Sequence, residues 1–169
     1  PPQKVLDIGT GSGCIALAAK KIWPEADVTG IDFSEAALEC YRNNAKELGL
    51  EVQFVQADIF TFVPSQPFDL IVSNPPYVTE AESALMQENV LKYEPHTALF
   101  VPDADPLLFY KAIVGFAHKH LNKNGHLYFE INERLGAEMS GLLKKNKYQE
   151  IQIHRDLYDK ERSISAVKS

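Results

Sequence analysis

Hydrophobic and polar positions follow two different periods along the chain, and their alternation predicts strands interleaved with helices. Short apolar segments rich in β-branched residues alternate with segments whose apolar residues recur at helical spacing. The predicted strands cover residues 4–8, 27–32, 52–55, 68–72, 126–131, 150–154 and 163–167. This order is typical of an α/β fold with a mostly parallel sheet and helices on both faces. The last two strands are expected to pair antiparallel at one edge of the sheet.

Four helices are predicted between these strands, and the first follows a glycine-rich turn. Ser34 is a good N-cap for the second helix, and Gly49 ends it. Asp105-Pro106 is expected to supply the N-cap and the first residue of the third helix, and residues 133–145 are predicted as the fourth. Residues 78–104 contain several helix breakers, so we expect a long excursion there, with one short helix.

Composition and charge narrow the class of protein. The 169 residues suit one core, and 45% hydrophobic with 24% charged residues is too apolar for a disordered chain. No apolar stretch approaches the roughly 18 residues of a membrane span, and the two cysteines lack metal-ligand spacing. The net charge of −6 disfavours a surface that binds nucleic acid by bulk attraction. We therefore expect one domain over 1–169, monomeric and cytoplasmic, without membrane or direct nucleic-acid partners.

A glycine-rich turn after the first strand predicts a ligand site. It reads Asp7-Ile8-Gly9-Thr10-Gly11-Ser12-Gly13. Glycines let the backbone approach a ligand closely, and the helix that follows offers free N–H groups to it. The dinucleotide pattern needs a glycine at the position of Cys14, so the spacing favours a nucleoside without phosphates.

Two acidic residues at strand ends strengthen the nucleoside interpretation. Asp32 ends the second strand, 19 residues past Gly13, close to the spacing at which a carboxylate reaches a ribose hydroxyl pair. Asp58 follows the third strand, where its carboxylate and the N–H of Ile59 can read an adenine edge. Either aspartate alone is better explained as a loop or helix cap. Together with the glycines, at the ends of three consecutive strands, they favour a bound nucleoside.

The tetrapeptide Asn74-Pro75-Pro76-Tyr77 follows the fourth strand, next to the point where the strand order should reverse. Two prolines make the turn rigid. The Asn74 side-chain oxygen and the Pro75 carbonyl can then accept both N–H bonds of a planar –NH2 group, while the Tyr77 ring packs against its face. A lone N-P-P-Y can be a plain turn with a buried tyrosine. Behind a G-x-G-x-G turn it favours recognition of an amino or amide nitrogen.

These motifs resemble those of a known family. The turn over residues 7–13 is similar to the cofactor loop of S-adenosylmethionine-dependent methyltransferases, and residues 74–77 resemble the signature of their amino-nitrogen methylating branch. Further segments resemble the release-factor glutamine N5-methyltransferases, in order Tyr93-Glu94-Pro95, Ala98-Leu99-Phe100, residues 125–131, and Arg155-Asp156-Leu157 with Arg162. The similarity spans nearly the whole chain.

The resemblance implies a Rossmann-like class I methyltransferase fold, with a seven-stranded sheet and an antiparallel edge strand. It implies S-adenosylmethionine as cofactor and S-adenosylhomocysteine as product. The implied substrate is the glutamine of the Gly-Gly-Gln motif of a peptide chain release factor, a protein of translation termination. The N-terminal helical domain of that family has no counterpart here, so we expect the catalytic domain alone. The chain departs from the family at residues 101–105, where a glycine pair is usual, and at His96; the roles of His96 and Glu94 stay open.

The candidate site residues follow from these motifs. We expect cofactor binding by Asp7, Gly9, Thr10, Gly11, Gly13, Asp32, Phe33, Asp58, Ile59 and Asn74. The expected catalytic residues are Asn74, Pro75, Pro76 and Tyr77, with no metal.

Two alternative functions stay open. A methyltransferase acting on adenine N6 or cytosine N4 of nucleic acid uses the same Asn/Asp-Pro-Pro-aromatic chemistry, but the charge of −6 and the short chain disfavour it. The other alternative is a nucleoside-binding module without catalysis, which the intact tetrapeptide at residues 74–77 disfavours.

Overall fold

The computed structural model describes residues 1–76, 78–79, 100–101 and 105–169. Nine strands and four helices lie in these ranges. They are, in chain order, β1 (Lys4–Ile8), α1 (Cys14–Ile22), β2 (Asp27–Asp32), α2 (Glu35–Leu48), β3 (Gln53–Gln56), β4 (Phe68–Ser73), β5 (Val78–Thr79), β6 (Phe100–Val101), α3 (Leu108–His120), β7 (Leu121–Glu130), α4 (Gly136–Lys145), β8 (Tyr148–Arg155) and β9 (Glu161–Lys168).

Seven strands form one sheet in the order β3-β2-β1-β4-β7-β9-β8. The five strands from β3 to β7 are mutually parallel, and β9 pairs antiparallel with both β7 and β8. The predicted α/β fold and the antiparallel pair at one edge are therefore confirmed. Within that pair, the strand opposed to the others is β9, one position in from the edge. The chain moves outward from β1 to β3 and then returns to β4 on the other side of β1, which makes β1 and β4 the switch point.

The sheet is covered by two apolar clusters on opposite faces. Helices α1 and α2 pack on one face, where the cluster includes Leu17, Val28 and Leu38. Helices α3 and α4 pack on the other, with a larger cluster that includes Ile113 and Met139. Helices on both faces bury a parallel sheet as the strand pattern predicts.

The predicted helix starts at Pro106 and Glu133 are wrong, by two and three residues respectively. The helix α3 begins at Leu108, because the carboxylate of Asp105 accepts the N–H of Leu107 at 3.3 Å and its carbonyl accepts the N–H of Leu108 at 3.1 Å. The helix α4 begins at Gly136, since the side chain of Asn132 accepts the N–H of Arg134 at 3.0 Å. In both places a side chain bonds to nearby backbone and forms a turn in place of the first helical turn.

The fifth predicted strand is also longer than expected. Residues 122–125 contain two asparagines and a glycine, which favour a turn, yet β7 starts at Leu121. Leu121 pairs with Phe68 of β4, and the register between the two strands shifts after that pair. One residue of β4 stands opposite residues 122–125, and Asn124 has a φ of 61°, so the local turn signal is expressed as a bulge within β7.

The excursion over residues 78–104 lies mostly outside the described residues, and so do Tyr77, Glu94 and His96 and the short helix expected there. Near its two ends, β5 and β6 pair in parallel as a separate two-stranded sheet. Within the described ranges, no helix is both long and apolar enough to cross a membrane.

Candidate functional site

A cavity of about 660 Å³ opens at the carboxyl ends of β1 to β4. It lies at the switch point, where ligands bind in open α/β sheets. Its volume falls within the range of small-molecule sites. The described residues that line it are Ile8, Gly9, Gly11, Ser12, Ile31, Asp32, Phe33, Ser34, Ala36, Ala37, Cys40, Ala57, Asp58, Ile59, Phe60, Ser73, Asn74, Pro75, Pro76, Phe109 and Ile113.

Backbone hydrogen bonds to β2 fix the shape of the glycine turn. The N–H groups of Gly9 and Thr10 both donate to the carbonyl of Ile31, at 2.9 and 3.0 Å. Gly9 and Gly11 have φ of 69° and 56°, in the left-handed region that favours glycine. A Cβ on either would meet no atom within 4 Å, so this backbone lies open toward the cavity that it lines.

Asp7 and Thr10 lie behind the turn and are absent from the described lining of the cavity. Asp7 is buried, and its Oδ2 accepts the Thr10 hydroxyl at 2.7 Å and the N–H of Ala16 at 3.2 Å. Burial raises the pKa of Asp7 to about 6. Its Oδ1 has no hydrogen-bond partner among the described residues. These two predicted site residues therefore anchor the turn to α1.

Gly13 also supports the turn from behind. Its φ is 83°, and a Cβ there would overlap the ring of Tyr41. A Cβ on Gly30 in β2 would overlap the same ring. Tyr41 is fully buried in α2 and packs edge-on against Phe54, with ring centroids 4.5 Å apart. The two glycines thus make room for an aromatic ring that packs beneath the site.

Both predicted acidic residues lie at the cavity, and both also cap local backbone. Asp32 accepts the N–H of Gly11 at 2.9 Å and that of Ser34 at 2.8 Å. Asp58 accepts the N–H of Phe60 at 2.9 Å. Each carboxylate lines the cavity while it holds a turn in place. The sequence left ligand binding and capping as alternatives, and the geometry is compatible with both at once.

Aromatic side chains form the mouth of the cavity. Phe33 is 72% exposed and Phe60 52% exposed, and Phe60 lies 5.6 Å from Phe109 between ring centroids. Exposed large apolar side chains around a cavity mark a ligand surface. Of the three, the sequence singled out only Phe33. Phe60 stands two residues after Asp58, so its position next to a candidate site residue could have indicated it, whereas Phe109 comes from α3, which is distant in sequence from the motifs.

The diproline turn, which contains Asn74, Pro75 and Pro76, follows β4 and starts beside the glycine turn that follows β1. Ile8 of β1 pairs with Ser73 of β4, and the Ser73 hydroxyl donates to the Ile8 carbonyl at 2.7 Å. Gly9 and Asn74 therefore leave adjacent strands side by side. Asn74 is exposed and Pro75 is buried, and both line the cavity, as does the half-buried Pro76 that follows.

Comparison with known proteins identifies the family. The model of the methyltransferase small domain family matches residues 1–96, more than half of the chain. The chain belongs to this family. A relative from Bacteroides thetaiotaomicron named release factor glutamine methyltransferase is 45% identical, over 97% of this chain and 60% of the relative. One of the same name from Flavobacterium psychrophilum is 47% identical, over 95% of this chain and 57% of the relative. The resemblance noted in the sequence is confirmed, and the chain spans less than two thirds of these relatives' length.

Solved structures of methyltransferases share the fold. A methyltransferase from Pyrococcus furiosus superposes with a TM-score of 0.73 at 22% identity, over 98% of this chain and 74% of that one. An O-methyltransferase from Thermotoga maritima also has a TM-score of 0.73, at 12% identity, over 98% of this chain and 59% of that one. The predicted class I methyltransferase fold is therefore confirmed.

Proposed function

We propose that this protein transfers the methyl group of S-adenosylmethionine to the side-chain amide nitrogen of the glutamine in the Gly-Gly-Gln motif of a peptide chain release factor. The observation that carries the proposal is the Asn74 turn, which leaves β4 beside the glycine turn and lines the same cavity. The names of the two relatives described above support the choice of substrate. Under this proposal residues 1–169 are a catalytic domain that acts as a monomer in the cytoplasm on a protein substrate.

The cavity fits the proposed cofactor. Gly9 and Gly11 leave room for close approach of a ligand, and a Cβ there would occupy part of that space. Asp32 stands next to the turn with its carboxylate available to a ribose hydroxyl pair, and Asp58 with the Ile59 N–H suits an adenine edge. Phe33 offers an exposed ring to a flat base. When bound there, S-adenosylmethionine supplies an electrophilic methyl group on a sulfonium.

Asn74 and Pro75 are proposed to select the amide nitrogen. A carboxamide nitrogen is a poor nucleophile because its lone pair is delocalised into the carbonyl. The Asn74 side-chain oxygen and the Pro75 carbonyl accept its two N–H bonds, and both bonds strengthen as positive charge develops on the nitrogen. The buried Pro75 and the hydrogen bond from Ser73 to the Ile8 carbonyl keep this corner rigid. Tyr77 is proposed to pack against the amide plane.

The chemistry needs no metal and no covalent enzyme intermediate. The bond between the amide nitrogen and the methyl carbon forms as the carbon–sulfur bond breaks, and the methylated nitrogen then loses one proton to solvent. The work of the protein is to hold nucleophile and methyl group in line at short distance. The rigid turns at the ends of β1 and β4 serve that purpose.

Mass spectrometry of a Gly-Gly-Gln peptide incubated with enzyme and cofactor tests the proposal. We expect one added methyl group, located on the glutamine by fragmentation. The matched control is the same peptide with Gly-Gly-Glu, which lacks the –NH2 group and should stay unmodified. Methylation elsewhere on the peptide, or none, would overturn the proposed substrate.

Labelled cofactor separates the proposal from the two alternatives. A methyl-labelled cofactor is offered together with a release factor, with DNA and with RNA. We expect label in the release factor alone. Label in nucleic acid would support an adenine or cytosine amino methyltransferase, and a chain that binds the cofactor but transfers no label would be a nucleoside-binding module.

A further inference from the structure

The turn between β8 and β9 exposes two large apolar side chains. Leu157 is fully exposed and Tyr158 is 83% exposed. This segment belongs to the Arg155-Asp156-Leu157 motif, to which neither the cofactor cavity nor the diproline turn assigns a role. Neither side chain is buried against the rest of the described chain, so both are available for contact with a partner.

The tip is held rigid by one carboxylate. Oδ1 of Asp156 accepts the N–H groups of Tyr158 and Lys160, at 2.8 and 3.0 Å. Its Oδ2 accepts Nε of Arg162 at 2.9 Å. The turn therefore keeps one shape without a partner, so less conformational entropy is lost when it binds one.

The charged groups around the tip are paired within the hairpin and its base. Arg155 bonds to Glu161 at 2.8 Å, and Lys160 bonds to Glu133, in the loop after β7, at 2.8 Å. Arg155 also lies 3.6 Å from the exposed carboxylate of Asp159, so the charged side chains next to Leu157 and Tyr158 have partners of opposite sign. The tip therefore presents two apolar side chains among charged groups that are already paired.

The strand directions place the tip at the same end of the sheet as the cavity, where the carboxyl ends of the parallel strands lie. The strand β8 runs parallel to β1 and β4, because β9 is antiparallel to both β7 and β8. Its carboxyl end, and the turn after it, thus lie at the edge where Asn74 follows β4. The N–H of Ile131, just after β7, donates to the carbonyl of Arg162 at 2.9 Å, which joins the hairpin to the strand beside β4. From β4 to β9 is two strand spacings, roughly 10 Å.

We propose that the hairpin tip at Leu157 and Tyr158 docks the protein substrate while its glutamine reaches Asn74. The inference rests on the proposed function and extends it with a second contact region. A protein partner typically covers about 800 Å² of each surface, a patch wide enough to reach from the cavity to a hairpin roughly 10 Å away. The occupant is an apolar patch on the release factor next to its Gly-Gly-Gln loop. A short peptide does not reach the tip.

The test compares an intact release factor with a short Gly-Gly-Gln peptide as substrates. In the double variant Leu157→Ser/Tyr158→Ser, we expect kcat/KM for the intact protein to fall about tenfold or more, mainly through KM. The same variant should methylate the peptide at the parent's rate. The conservative variant Leu157→Met/Tyr158→Phe should restore most of the affinity for the intact protein. Because the charges at the tip are paired, added salt should have little effect on the ratio of kcat/KM between parent and double variant for the intact protein.

Ile22→Ser is the matched control. Ile22 is 66% exposed at the end of α1, at the opposite end of the strands from the cavity. Its replacement should therefore leave kcat/KM for both substrates unchanged. Equal kcat/KM on the intact protein for parent and hairpin variant, or equal loss on both substrates, would overturn the docking role alone. A parent enzyme that methylates neither substrate would overturn the proposed function and the docking role together.

Discussion

The backbone N–H of Gly11 donates to Oδ2 of Asp32 at 2.9 Å. The last residue of β2 therefore holds the turn that follows β1. The other oxygen of the same carboxylate accepts the N–H of Ser34, where α2 begins. The Asp32 side chain thus joins β2, the glycine turn and the start of α2 at the mouth of the cavity. In the proposed complex, the ribose of the cofactor lies next to this carboxylate.

Replacing Asp32 with alanine is expected to weaken binding of S-adenosylmethionine about 10- to 100-fold, since a hydrogen bond to a charged group contributes about 1.5–3 kcal/mol. Isothermal titration calorimetry measures the dissociation constant directly. Asp27→Ala is the matched control, because Asp27 is an exposed residue at the other end of the same strand. Equal affinities for the two variants would remove Asp32 from the cofactor site.

Asn74→Ala is expected to lower kcat about 100-fold or more while the cofactor dissociation constant stays near the parent value. The loss should resemble that of one preorganised hydrogen-bonding group that acts in the transition state, about 3 to 4 kcal/mol. Single-turnover methylation of the Gly-Gly-Gln peptide measures it. Asn74→Asp keeps an acceptor oxygen and should retain more activity than alanine. If the alanine variant turned over at the parent's rate, the role assigned to Asn74 would be wrong.

Gly13→Ala is expected to destabilise the protein more than Gly11→Ala. Both residues have positive φ, which costs an alanine about 1–2 kcal/mol. Only at Gly13 would the new Cβ overlap the ring of Tyr41, which adds about 1–3 kcal/mol of overpacking. Chemical denaturation measures the free energies of unfolding. Combining Gly13→Ala with Tyr41→Ala should make the two effects non-additive, and equal losses at the two glycines would contradict the packing argument.

The buried Asp7 predicts a pH dependence of stability. Its pKa rises from 3.8 when unfolded to about 6 when folded, so the folded state holds the proton more tightly. Stability from this group is present below about pH 4 and is lost as the pH rises to about 6. Relative to the parent, Asp7→Asn should therefore gain up to about 3 kcal/mol between pH 4 and 7.

Chemical denaturation of the parent and of Asp7→Asn at several pH values measures the difference in their free energies of unfolding. The contributions of titratable groups that both proteins share largely cancel in this difference. The groups that face Asp7 are the Thr10 hydroxyl, the Ala16 N–H, Asp32 and Tyr41. A difference that stays constant across this range would mean that burial does not shift the pKa of Asp7.

Local features of the chain were predictable because their causes lie within a few residues. The strands β1 and β2 have the predicted bounds, and Ser34 caps α2 by accepting the N–H of Ala37 at 3.3 Å. Gly49 ends that helix with a φ of 64°. The positions of the motifs after their strands likewise predicted that the glycine turn, Asp32 and the diproline turn lie at one end of the sheet, since the carboxyl ends of parallel strands meet there.

Which residues of the glycine motif face the cavity depends on the tertiary structure. A motif read along the chain assigns Asp7, Thr10 and Gly13 to the ligand with the other residues of the turn. In the fold they face α1 and the ring of Tyr41, behind the surface that Gly9 and Gly11 present. Which side of a turn faces a cavity depends on the helices packed behind it, and these are distant in sequence.

Periodicity and residue type were sufficient to predict the sheet, the end of the sheet that carries the candidate site and the chemistry of the two turns. The packing of distant segments was needed to show that Phe109 of α3 lines the cavity and that the hairpin turn carrying Leu157 lies at the same end of the sheet. Contacts between distant segments depend on how helices and strands pack in space, and no local pattern encodes that.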